Sequence, residues 1–211
     1  MHSRWPNWRR RVPFKRLDAI RAAARRLVIA ITLCALLTPA YAGMPDARDI
    51  AVAIDRDGDT FAVSVELVVD ATPEEVFAVL IDYDHMARFV SNVVESRIVH
   101  RDGDRIAVEQ KSRLAFGLIH LEFVNVRDVE LVPYREIRSR VTQGDMQGSS
   151  FTTAIEARGN QTWIGNRGSF HSNRWIPPII GTSALETETR RQFQELRTEV
   201  LRRKAAAVAS G

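Results

Sequence analysis

In the stretch Ile119-His120-Leu121-Glu122-Phe123, an imidazole and a carboxylate stand two positions apart. On a strand this spacing puts both on one face. Together they can pass a proton or orient a polar head group. The spacing fits an ordinary solvated face equally, because glutamate is seldom buried. His171 has no acidic neighbour in sequence, and His85 lies close to Asp82 and Asp84; a satisfied or solvated histidine and a capping or surface role account for them. The His, Asp and Glu residues are too scattered to specify a metal site. No Walker motif or glycine-rich dinucleotide loop occurs, so no cofactor is expected.

Larger side chains suggest a lining. Phe116, Phe123, Phe151, Trp163, Phe170, Phe193 and Leu196 would line an apolar cavity, or simply fill a core. Arg113, Arg127, Arg138, Arg140 and Arg167 fall on predicted strands. Turned inward, one of them would pair with an anionic or carbonyl head group; turned outward, it decorates the solvated sheet face. Trp175, Ile176, Ile179 and Ile180 surround Pro177 and Pro178. They form either a buried rigid joint or an apolar patch at a cavity mouth, able to touch a membrane transiently.

The pattern of the chain says what must hold these residues. Phe61, Val63, Val65, Leu67 and Val69 alternate with other residues, as in a strand with one buried face. Thr72, Pro73, Glu74 and Glu75 then open a helix: an N-cap, a proline at the first position, and acids at the positive end, with Glu75 placed for a capping box. A second short helix is expected over about 83–89. Consecutive antiparallel strands follow, over 92–100, 105–114, 118–131, 134–142, 149–157 and 161–174, separated by turns such as Asp102-Gly103-Asp104 and Gly159-Asn160. The alternation in the 118–131 strand shifts near Val124, which predicts a bulge there. A long helix over about 182–204 carries Leu185, Thr189, Phe193, Leu196 and Val200 on one face. Residues 43–59 read as a polar, turn-rich extension and 205–211 as a fraying tail. Strands grouped apart from helices make an α+β fold. A curved sheet wrapped on one apolar helix leaves a cavity on its concave side unless large side chains fill it.

The 211 residues carry a net charge of +4, but the charge is uneven. Nine of the 30 Lys/Arg and one of the 26 acids lie in residues 1–42, so the remainder holds 21 bases and 25 acids, about −4. A negative domain gains little from phosphate attraction, so a nucleic-acid partner is not expected. Residues 1–42 have the order of an export signal: a basic stretch to Arg25-Arg26, an apolar run from Leu27 to Leu37, Pro39, and the small-residue site Ala40-Tyr41-Ala42. The apolar run is short for a membrane span. Cleavage after Ala42 into the periplasm is the expectation. Cys34 is the only cysteine, so the remaining domain has no disulfide, thiol nucleophile or cysteine metal site.

The run Val69-Asp70-Ala71-Thr72-Pro73-Glu74-Glu75-Val76-Phe77-Ala78-Val79-Leu80-Ile81-Asp82-Tyr83, with Phe89 and Val93 following, resembles the opening of the START-like superfamily, which includes polyketide-cyclase and coenzyme Q-binding proteins. The resemblance extends over about 60–204. Val90 stands where many relatives carry a proline. The resemblance implies a helix-grip fold, with about six to seven antiparallel strands curved around the C-terminal helix, and a cavity for lipids, quinones or polyketides. Three functions follow as alternatives: a carrier of an apolar molecule in the cell envelope, a cyclase or dehydratase using His120 and Glu122, or a module docking a partner through the Trp175 to Ile180 patch.

Overall fold

The computed structural model describes residues 49–116, 119–171 and 181–210. The signal-like segment 1–42, the Phe116 side chain, and Trp175, Ile176, Ile179 and Ile180 lie outside the described residues. The chain forms β1 (Ala51–Asp57), β2 (Thr60–Val69), α1 (Pro73–Leu80), a short 3-10 helix (Tyr83–Arg88), β3 (Val93–Asp102), β4 (Arg105–Phe116), β5 (Ile119–Val132), β6 (Glu136–Gly144), β7 (Ser150–Arg158), β8 (Gln161–His171) and α2 (Thr182–Ser210). The eight strands make one antiparallel sheet in the order β1-β2-β8-β7-β6-β5-β4-β3.

The sheet has one strand more than the sequence predicts. β1 grows from the expected polar extension and pairs with β2 across the turn Gly58-Asp59. Its signal is weak because Ile54 is its only buried side chain. The turns Gly58-Asp59, Gly103-Asp104 and Gly159-Asn160 each put glycine at positive φ (60°, 57° and 64°), where a Cβ would be strained. α1 starts as predicted: the Thr72 N–H donates to Glu75 Oε2 at 2.8 Å and the Glu75 N–H to Thr72 Oγ1 at 3.3 Å. α2 continues to Ser210 rather than fraying near 204, carried by Ala205, Ala206 and Ala207, the best helix formers.

The core lies between the concave face of the sheet and the helices. Phe61, Val63, Val65, Leu67 and Val69 of β2 point into it, with Val76, Phe77 and Val79 of α1 and Leu185, Phe193, Leu196 and Val200 of α2. α2 packs on β1, β2 and α1, while the 3-10 helix lies on β3. Gly168 of β8 lets backbones approach closely: a Cβ there would meet Ser150 O at 2.2 Å and Phe151 Cα at 2.8 Å.

One polar seam pins the last turns of α2. Glu195 Oε2 accepts the Ser91 N–H at 2.8 Å, Arg203 Nη2 donates to Asp82 Oδ2 at 2.7 Å, and Lys204 Nζ donates to the Asp70 carbonyl at 2.7 Å. Glu199 accepts from Arg202 Nε and Nη2 and from Arg203 Nε, each at 2.7 Å. The Arg202 bonds outweigh burial and, with the one from Arg203, hold the Glu199 carboxyl at about 2. For Asp82, burial pushes the carboxyl up, but bonds from Arg203 and His85 bring it below its ordinary value.

Both carboxyls are depressed in the folded chain, so the stability they add is full above their unfolded values, 3.8 for Asp82 and 4.5 for Glu199, and is lost as pH falls towards 2. The denaturant midpoint should drop across that window, and Glu199→Gln should flatten the drop; an equally steep profile in the variant would put the acid sensitivity elsewhere. Gly168→Ala should cost about 1–3 kcal/mol in a urea titration, because the backbone of β7 must give way.

Candidate functional site

Strand register decides which side chains can reach a ligand. On β5, Leu121, Phe123, Asn125, Arg127, Val129 and Leu131 point to the concave side, and His120, Glu122, Val124 and Asp128 point away. β5 pairs with β4 without interruption from Ile119 to Glu130. The bulge expected near Val124 is instead an extra residue of β6, Thr142, opposite Val126 and Arg127. The apparent phase shift in the sequence comes from two polar residues, Asn125 and Arg127, at inward positions.

His120 is exposed on the convex face, and Glu122 sits there in a charge ladder. Glu122 Oε1 accepts from Arg113 Nε at 3.0 Å and Nη2 at 2.6 Å, and Lys111 Nζ lies 3.1 Å from Oε2. The Arg113 bonds first, then Lys111, hold this carboxyl below its ordinary value. His120 and Glu122 thus share a face, but it is the face away from the core. Trp163 is also convex, placed beside Val68 and Glu156. Its ring lies over Gly165, where a Cβ would fall 2.2 Å from Cη2, and under the Arg158 guanidinium at 4.7 Å. The sequence places it in a lining because it is large; glycine two positions on provides its seat outside. Arg113, Arg138, Arg140 and Arg167 are convex too, with Arg113, Arg138 and Arg167 paired to Glu122, Glu136 and Glu66.

The concave side receives the other aromatic residues. Phe123 is buried, Phe151 is half-buried opposite Gly168, and Phe170 stacks on Phe61 at 4.9 Å with planes 10° apart. Phe193 and Leu196 are buried in the core under α2. Filling is uneven along this face. Ile106, Val108 and Val129 are fully covered, whereas Leu121, Ser139, Phe151, Thr153, Asn166 and Phe170 point inward and remain partly exposed. His171 ends β8, its N–H bonded to Ser149 Oγ at 3.4 Å, and His85 bonds Asp82 at 2.7 Å on the surface.

A polar group stands at the covered end, under the 3-10 helix. Tyr83 (6% exposed) and Met86 come from that helix, Gln110 (5% exposed) from β4 and Arg127 from β5. Arg127 lies between Val108 and Val141 in neighbouring strands. Its Nη2 donates to Gln110 Oε1, and the Gln110 amide reaches Ser96 Oγ and Met86 Sδ, each at 3.4 Å. Arg127 Nε is buried with no acceptor. Burial pushes the Arg127 guanidinium below its ordinary value and the Tyr83 phenol above its own, each charge partly offsetting the other's shift. The sequence alone does not mark Tyr83 or Gln110 as site residues. Their parity with Met86 and with Ile106 and Val108 was the available signal, since a polar residue in phase with a buried row is the informative exception. Among the described residues, no group of three His, Cys, Asp or Glu could hold a metal ion.

This architecture has recognised relatives. Residues 60–206 match the family model described as polyketide cyclase / dehydrase and lipid transport. The chain belongs to that family. Solved structures share its helix-grip, START-like fold at low identity. The Zhui aromatase/cyclase from Streptomyces sp. R1128 is 16% identical over 70% of this chain and 98% of its own, with a TM-score of 0.59. A STAR-related lipid transfer protein from Xanthomonas axonopodis is 14% identical over 74% and 96%, at 0.57. Human STARD10 is 12% identical over 72% and 69%, at 0.57. No curated protein matches by sequence.

A buried arginine without a counter-charge is costly to folding. Arg127→Met should therefore leave the stability of the ligand-free protein within about 1 kcal/mol of the parent, or raise it, in a denaturant titration. A loss of several kcal/mol would make Arg127 a structural residue.

Proposed function

We propose that this member of the polyketide cyclase / dehydrase and lipid transport family is a non-enzymatic carrier of an apolar small molecule. The observation that supports it best is the concave face itself. Leu121, Phe151 and Phe170 point inward yet keep exposed surface, as an apolar lining does when side chains do not fill the space. The family's description and a lipid transfer neighbour at the level of fold agree with that reading. The signal-like order of residues 1–42 supports carriage in the cell envelope after cleavage behind Ala42. The apolar sequence Trp175, Ile176, Ile179 and Ile180 would suit a transient membrane contact during exchange. Candidate cargoes are a lipid, a quinone or a polyketide-like compound. A cyclase or dehydratase reaction, the second reading, has support in the fold of the aromatase/cyclase neighbour. It would need acid–base groups other than the outward His120 and Glu122.

The test is native mass spectrometry of the mature protein purified from its own envelope, followed by solvent extraction. The expected result is a discrete apolar adduct. Added back at a hundredfold excess over its dissociation constant, the adduct should stabilise the emptied protein by about 2.7 kcal/mol. A protein that carries no adduct and takes up no lipid or quinone would end the carrier reading.

A further inference from the structure

Of the five strand arginines that the sequence offered, Arg127 alone points to the concave side. Its convex counterparts Arg113, Arg138 and Arg167 have carboxylate partners. Among the described residues Arg127 has none: its bond goes to the neutral Gln110 side chain, and its Nε–H is buried without an acceptor. Its flanks on the neighbouring strands, Val108 and Val141, are buried and apolar. A half-buried guanidinium with its Nε shut off from water, held on one side and left with an open donor, is arranged to receive a planar or tetrahedral oxyanion. The 3-10 helix covers this group, with Tyr83 and Met86 buried and Met86 Sδ 3.4 Å from the Gln110 amide.

Resting on the carrier reading above, we infer that Arg127, held by Gln110, is the head-group site, and that the cargo is an amphiphile whose apolar chain ends in an oxyanion. The chain lies along the half-exposed inward residues and the head under the 3-10 helix. A neutral carbonyl or hydroxyl head would satisfy the open donor but not the charge, so it binds more weakly.

The experiment compares dodecanoate, dodecyl phosphate, methyl dodecanoate and dodecanol on the intact protein after its native cargo is removed, by calorimetry. The two anions should bind about tenfold or more tighter than the two neutral chains. Arg127→Met should abolish that preference while dodecanol binding persists. Equal binding of all four chains to the parent protein would overturn the inference and leave the carrier reading standing. So would a preference that survives Arg127→Met, or inorganic phosphate or acetate binding as tightly as the amphiphiles, which would make this a free-anion site. Binding of none of the chains would overturn both readings. If Arg127→Met fails to fold, the parent protein's preference among the four heads still decides.

Discussion

Ten consecutive residues of β2, Thr60–Val69, pair antiparallel with ten of β8, and every other feature hangs on this ladder. It joins the start of the domain to its last strand, so everything from α1 to β7 must be folded between two neighbouring strands. It fixes the parity of both strands at once: Phe61 meets Phe170, Leu67 meets Ile164, and Trp163 is sent outside with Val68. A slip of one residue would exchange these faces. At the end of the ladder, buried Thr162 donates its hydroxyl to the Ala71 carbonyl at 2.6 Å, tying β8 to the residue before the Thr72 cap. The start of α1 is thereby set relative to the sheet, and with it the 3-10 helix that covers Arg127.

The two ends of the concave surface are held by different physics. One end is dry, packed by aliphatic residues, α1 and the 3-10 helix, and it pays for a buried guanidinium within that packing. The other is half-open and lined by Phe151, Thr153, Asn166 and Phe170, with Asn166 Nδ2 bonded to Thr153 Oγ1 at 2.8 Å. An interior that is apolar along its walls and polar at one covered end suits a molecule with the same asymmetry. The charged ladders of the convex face, exposed and screened, contribute little to stability by comparison.

The fold was legible because its signals are local. The Thr72 capping box, the period-2 row of β2, the glycine turns and the helical spacing of α2 each act within a few residues. β1 was missed because an edge strand with one buried side chain has almost no alternation to read. The site was harder. His120 and Glu122 were correctly placed on a common face, but nothing in their spacing says which face; that depends on pairing with β4 and β6. Trp163 reads as lining by its size, and Gly165, which makes room for it outside, acts through contact. Arg127 is one of five strand arginines, and its inward parity is masked where the break in pattern reads as a bulge. Reading Arg127 in phase with Phe123, Val129 and Leu131 would have exposed it. Tyr83 and Gln110 come from separate elements, and their meeting is a product of tertiary structure.

The added strand β1 has a consequence for how copies of this protein meet one another. It replaces β2, a long apolar strand, as the free border of the sheet, and presents the exposed, charged Asp55, Arg56 and Asp57 there. The opposite border, β3, departs from regular pairing between Val93 and Glu95 and again between Ile98 and His100, and carries the exposed Arg97, His100 and Arg101. Flat, unpaired borders are templates on which sheets of different molecules stack into aggregates; charge and irregularity spoil the template. Both borders are spoiled in this way, which works against sheet-to-sheet stacking between copies.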